Sequence, residues 1–282
     1  MNDIAQDLNR HKLKSHIKEL MSKNFGPEMY PELKKVGGLA NAMNNEFERL
    51  GSLLRVVNDE TIRKLPMTYA RVENASKFSQ IYIAAKEKLY LPDFWRDGAC
   101  LAHGATDNIS DLIKAIDYWL NQDISTQDLA LQFSFVNPSD KAVHFDNNKE
   151  IEYAWNNLAT EDDDKGLKEF IDVASKNEVL NKLFPFTSLY TLCFSKCTGY
   201  PYDSTGLPNV TMIDNRNFCL PGGLPENEKI QHENLSSKGR LYLVTIDRTQ
   251  IIGKGDANEA LKMVMDNLPN DIGPARKGIA MG

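Results

Sequence analysis

Thiols and imidazoles are the side chains here with most scope for chemistry: four cysteines and five histidines in 282 residues. Cys100 stands three residues before His103, and a thiol beside an imidazole is the smallest nucleophile–base pair. In a regular strand an offset of three puts the two on opposite faces, so the pair is not expected to meet. Cys193, Cys197, Cys219 and His232 add up to four zinc-type donors. An extended chain would hold residues four apart ~13 Å from each other, too far to share one ion at ~2.3 Å. Only a turn near Phe194–Lys196 would bring the first two together, and no C-x-x-C knuckle is present. Ordinary buried thiols, no metal and no cofactor are therefore expected.

Other chemistry is weaker still. Ser195 would need a distant His144 or His232 as its base, and neither a G-x-S-x-G elbow nor an H-E-x-x-H pair occurs. Gly253-Lys254-Gly255 resembles a phosphate cradle only superficially, because Asp256 stands where an anion would dock. A hairpin exit followed by an N-cap explains it better. Asp162, Asp163 and Asp164 suit the positive end of a helix without any metal. Arg276 and Lys277 read as solvated cations of a flexible tail.

Aromatic residues make the densest feature. Phe184, Phe186, Tyr190, Phe194, Tyr200, Tyr202 and Phe218 crowd one stretch and alternate with Pro and Gly. Rings held by turns give large contact area at small entropic cost. Tyr200, Tyr202 and Phe218 are accordingly expected to line a contact site for a protein partner, the alternative being a β core with a tyrosine rim.

The elements that must position these residues follow from hydrophobic period. Ile4, Leu8, Leu13, Ile17 and Leu20 predict a helix over 3–24 with a basic face, and Leu39, Met43, Phe47, Leu50 and Leu54 predict another over 38–57. Pro66 interrupts this pattern, so a boundary is placed between 58 and 66, with a helical region 1–65 and an α+β domain 66–282. Strand character marks 78–91 and 99–105. Asn108 caps a helix on Ile109, Leu112, Ile113 and Ile116. Helices are expected near 148–158 and 162–176, and one core is expected to hold Trp95, Trp119 and Trp155. The final hundred residues read as β-rich: strands over 187–195, 209–213, 241–246 and 250–253, a polar loop from Pro221 to about Lys238, and a closing helix capped by Asp256. The fold class is α+β, with a helical N-terminal region and a β-β-α ending.

Composition bounds the function. Lys and Arg number 33 against 39 Asp and Glu, a net charge of −6, which argues against broad nucleic-acid binding. Mean hydropathy is −0.44, with no apolar run long enough to span a bilayer and no signal-peptide core, so membrane association is not expected. So few cysteines suit a reducing cytoplasm.

Three phrases resemble a bacterial family of unknown function whose members carry the label "natural product biosynthesis protein". They are Phe184-Pro185-Phe186-Thr187-Ser188, Cys197-Thr198-Gly199-Tyr200-Pro201-Tyr202, and Leu268-Pro269 with Gly273-Pro274-Ala275 and Gly278. Trp95, Gly98, Gly104, Thr106-Asp107 and Trp119 follow its spacing too. The resemblance covers about Arg71 to the C-terminus, leaves the N-terminal helices outside, and meets a longer loop at 226–238. It implies one bacterial domain and carries no reaction, cofactor or catalytic residue. Two functions stay open on the sequence. One is a non-enzymatic cytoplasmic binding protein, such as an immunity or accessory factor masking a basic, toxin-like partner. The other is a small-molecule enzyme or binder in a natural-product pathway.

Overall fold

Tight hairpins join several of the neighbouring strands. In the computed structural model, residues 27–160, 166–213 and 240–280 are described, and the chain divides into two compact units, Met1–Asn148 and Lys149–Gly282. The helix expected over 3–24, the acidic triplet at 162–164 and the loop at 221–238 lie outside the described residues.

The first unit opens with helices α1 (Pro31–Val36), α2 (Leu39–Leu50) and α3 (Glu60–Lys64). Strands β1 (Tyr69–Asn74), β2 (Lys77–Ile83), β3 (Tyr90–Arg96) and β4 (Ala99–Gly104) follow as an antiparallel meander. Asp97 and Gly98 join β3 to β4 with φ of 52° and 77°, the paired positive values that let a two-residue turn match the right-handed strand twist. Helices α4 (Ile109–Asn121) and α5 (Thr126–Gln132) then lead to β5 (Val136–Pro138), which pairs with β4 and is followed by α6 (Ala142–Asp146). Val72, Ile81, Phe94 and Leu101 are buried, as are Leu112, Ile113, Ile116 and Trp119 of α4. The Phe94 and Trp119 rings meet edge-on at 6.2 Å. Asn108 caps α4 by accepting from the backbone N–H groups of Ser110 and Asp111.

The boundary expected at 58–66 falls inside this unit. The reason is packing: α2 lies against α4 and β1, and α3 lies against β1, so these helices share the core of the first sheet.

The second unit begins with α7 (Glu150–Thr160) and α8 (Lys168–Ala174). Strands β6 (Phe184–Ser188), β7 (Thr191–Ser195), β8 (Pro208–Met212), β9 (Tyr242–Ile246) and β10 (Gln250–Gly255) form a second antiparallel meander, and α9 (Ala257–Asp266) follows it. Its core gathers Trp155, Phe170, Leu192, Phe194, Val210, Tyr242, Val244 and Val264. The expected single core is thus two. Trp119 is buried in the first unit and Trp155 in the second, while Trp95 is half-buried on the face of the first sheet turned away from Phe94. The fold is α+β with a β-β-α ending, as expected. The strands expected over 78–91 and 187–195 are each broken into two strands, by a loop at 84–89 and a turn at 189–190, and β1 and β5 are strands that the sequence pattern does not mark. Among the described residues, no helix is long and apolar enough to cross a membrane.

Candidate functional site

The β3–β4 hairpin carries the densest chemistry. Arg96 pairs with Ala99 and Trp95 with Cys100, after which the register slips by one: Phe94 faces Ala102 and Asp93 faces His103. Leu101 is the extra residue of a β-bulge, and both it and Ala102 are buried. The slip reverses the alternation of β4, since a one-residue insertion turns every later side chain to the other face. Cys100 and His103 therefore share the outer face, and the expectation that they point apart is corrected. Asp93, which sequence reasoning passed over, completes a trio.

His103 Nδ1 lies 2.7 Å from Asp93 Oδ1. The Cys100 sulfur lies 3.9 Å from His103 Nδ1 and 3.8 Å from Nε2. The three groups are ligand-like side chains whose donor atoms all fall within 4.8 Å of one another. The registers of all five strands extend this row as Arg71, Gln80, Asp93, His103 and Asn137. Beside it run Phe78 and Trp95, stacked at 5.1 Å, with the Arg71 guanidinium 4.2 Å over the Phe78 ring. On its other side, the Tyr69 hydroxyl accepts from Gln80 Nε2 at 3.0 Å.

Electrostatics decide what the trio can do by itself. The hydrogen bond that His103 donates to Asp93, then its contact with the Cys100 sulfur, holds the imidazolium so that its pKa is pushed up to about 10. Burial pushes the Cys100 thiol up, against the opposing pulls of His103 and Lys141. At neutral pH the arrangement is an ion pair beside a neutral thiol. A charged imidazole is no general base, and the sulfur's near-equal distance to both nitrogens aims neither one at it.

The aromatic turn lies in the second unit. Tyr200 is 66% exposed, and its ring meets Tyr202 edge-on at 5.9 Å. Tyr202 is half-buried and stacks on Phe186 at 4.4 Å and Phe184 at 5.4 Å. The C-terminal segment fastens this turn. Thr198 N–H donates to Arg276 O at 3.1 Å, Gly199 N–H to Gly278 O at 2.8 Å, and Ala280 N–H to Pro201 O at 3.0 Å. Cys197 bridges Arg276 in parallel, so the CTGYPY and GPARKG phrases are two halves of one clasp. Arg276 Nη1 donates to Ile279 O at 2.6 Å on the exposed side of this segment. Lys277 Nζ lies 3.8 Å from the buried Glu150. Phe218 lies outside the described residues.

The remaining candidates are structural. Ser195 Oγ donates to Cys197 O at 2.7 Å and accepts from the N–H groups of Cys197 and Asp203. Cys197 is buried, and its sulfur accepts from Asp203 N–H at 3.3 Å. Cys193 is buried too and faces Arg248 Nη2 at 3.5 Å; burial pushes its thiol up. Cys219 and His232 lie outside the described residues, and His144 belongs to the first unit. Asp256 accepts from the N–H groups of Asn258 and Glu259, which fills the start of α9 and leaves Gly253–Gly255 as strand.

Residues 149–235 match a family described as "Family of unknown function (DUF6193)". The match starts where the second unit starts and includes the phrases at 184–188 and 197–202. No curated protein matches the chain, and no solved structure does.

Proposed function

We propose that this chain is a non-enzymatic, cytoplasmic binding protein that masks a basic protein partner, as an immunity or accessory factor does, and that Tyr200 is the centre of its contact surface. The observation that carries the reading is the 66% exposure of Tyr200 on a turn fastened by three backbone hydrogen bonds. A large ring already fixed in place loses little freedom on docking, and tyrosine is enriched among interface hot spots. Ile279, also exposed, is carried by the paired C-terminal segment and widens the apolar contact. The net charge of −6 favours encounter with a cationic partner and makes association salt-sensitive. In this reading Tyr202 supports Tyr200 from beneath.

A second reading, a small-molecule enzyme or binder in a bacterial natural-product pathway, is favoured by the Asp93–His103–Cys100 trio. The charged imidazole and neutral thiol count against its use as a thiol nucleophile. The test compares the wild-type chain with Tyr200→Ala against the partner isolated by affinity capture. The expected result is an unchanged melting temperature with affinity lowered by about 2 kcal/mol or more. Wild-type affinity in a normally folded Tyr200→Ala chain would reject the site.

A further inference from the structure

We propose that Asp93, Cys100 and His103 form a binding site for a zinc-type divalent cation, with a fourth position open to solvent. The donors are one carboxylate, one imidazole and one thiol, the mixed oxygen, nitrogen and sulfur set that suits a borderline ion such as Zn²⁺ rather than Mg²⁺ or Ca²⁺. Tetrahedral coordination at about 2.3 Å to sulfur and about 2.0–2.1 Å to nitrogen and oxygen requires S···N near 3.5 Å and N···O near 3.4 Å. The sulfur already stands 3.9 Å from His103 Nδ1. Asp93 Oδ1 stands 2.7 Å from the same nitrogen and must open by roughly 0.7 Å. That movement is small, because the His103 side chain is 55% exposed and its ring has room to turn.

The backbone makes this more than an accident of neighbours. Without the bulge at Leu101, the thiol and imidazole would stand on opposite faces of the sheet. With it, residues from two adjacent strands converge, and strands hold ligands more firmly than loops do. Metal binding replaces one imidazolium proton at Nδ1 and the thiol proton, so two protons leave. The bound thiolate and carboxylate then balance the dication, and the nearby Lys141 charge also favours the thiolate. Solvent access on the His103 side leaves the fourth position to water or to a small ligand. The proposal is independent of the Tyr200 contact surface.

The test uses the full chain freed of metal with a chelator and titrated with Co²⁺ alone. The expected result is one equivalent bound, with visible bands of tetrahedral cobalt and a near-ultraviolet sulfur-to-cobalt band, all displaced by Zn²⁺. Cys100→Ser should abolish the sulfur band, and His103→Gln should weaken binding by about 100-fold or more. Cys219→Ser should change neither, and circular dichroism should find all three variants folded. Absence of a stoichiometric spectrum in the wild-type chain would overturn the site. So would a sulfur band that survives in Cys100→Ser or disappears in Cys219→Ser. Should Cys100→Ser fail to fold, an unaltered affinity in His103→Gln would reject it equally.

Discussion

Tyr200 and Tyr202 are two residues apart and have opposite relations to the fold. Tyr202 closes a stack on Phe186 and Phe184, whereas Tyr200 touches that stack by one edge and otherwise meets solvent. Truncating Tyr202 removes three ring contacts and half-buried area, so Tyr202→Ala should lower stability by about 2 kcal/mol. Tyr200→Ala should leave the melting temperature within error of wild type. Thermal melts of the two variants separate the roles, and equal losses would mean that Tyr200 too belongs to the core. The sequence made the pair conspicuous, since rings beside Gly199 and Pro201 must sit on a turn. It did not tell the two apart, because their difference comes from β6, whose register opposite β7 places Phe186 under one ring and not the other. The trio is the reverse case. Cys100 and His103 are visible as chemistry, but the one-residue slip that unites them leaves no mark in a strand of small and apolar residues.

At the scale of elements, the sheet of the first unit is tied to its helices by one buried ionic node. Arg96 Nη2 donates to Asp146 Oδ1 at 2.6 Å, with both side chains nearly inaccessible. The other oxygen of Asp146 accepts from Thr126 N–H at 2.9 Å and from Thr126 Oγ1 at 2.6 Å. One carboxylate thus joins the end of β3, the start of α5 and the end of α6. Arg96 also lies 5.7 Å over the Trp119 ring, which links the node to α4. Removing the carboxylate strands a buried guanidinium, and that loss outweighs whatever the pair gains over an apolar substitute. Asp146→Ala should cost about 3–5 kcal/mol in urea unfolding, and Asp146→Asn, which keeps an acceptor for Thr126, should cost less. A loss below about 1 kcal/mol for the alanine variant, the scale of an exposed pair, would show that water reaches the node. None of this was legible beforehand, because α5 and α6 are too short to display a hydrophobic period. Longer elements were legible: α4 and α9 announce themselves by apolar spacing and by Asn108 and Asp256 at their caps.

For the whole molecule, the longer elements are legible in the sequence and their assembly is not. Hydrophobic period assigns a residue to a face, but which sheet that face covers depends on contacts distant in sequence. Hence Trp119 and Trp155 were expected together, although each closes a different core. The second unit has what an autonomous domain requires: its own buried cluster, a five-stranded sheet, and a C-terminal segment returning to the CTGYPY turn. The family match begins at its first residue. Residues 149–282 expressed alone should therefore unfold cooperatively. Trp155 is the sole tryptophan in that segment, its indole N–H donates to Leu183 O at 3.2 Å, and its ring lies 6.1 Å from Phe194. Its emission should be blue-shifted in the isolated fragment and should move to the red in the same urea transition that abolishes the far-ultraviolet dichroism, since coincident probes mark two-state unfolding. The clasp sharpens the expectation: ending the fragment at 273 removes the partners of Thr198, Gly199 and Pro201, and should lower the midpoint without abolishing the transition. A fragment 149–282 with red-shifted emission and a gradual, probe-dependent transition would mean that the second core forms only as part of the complete chain.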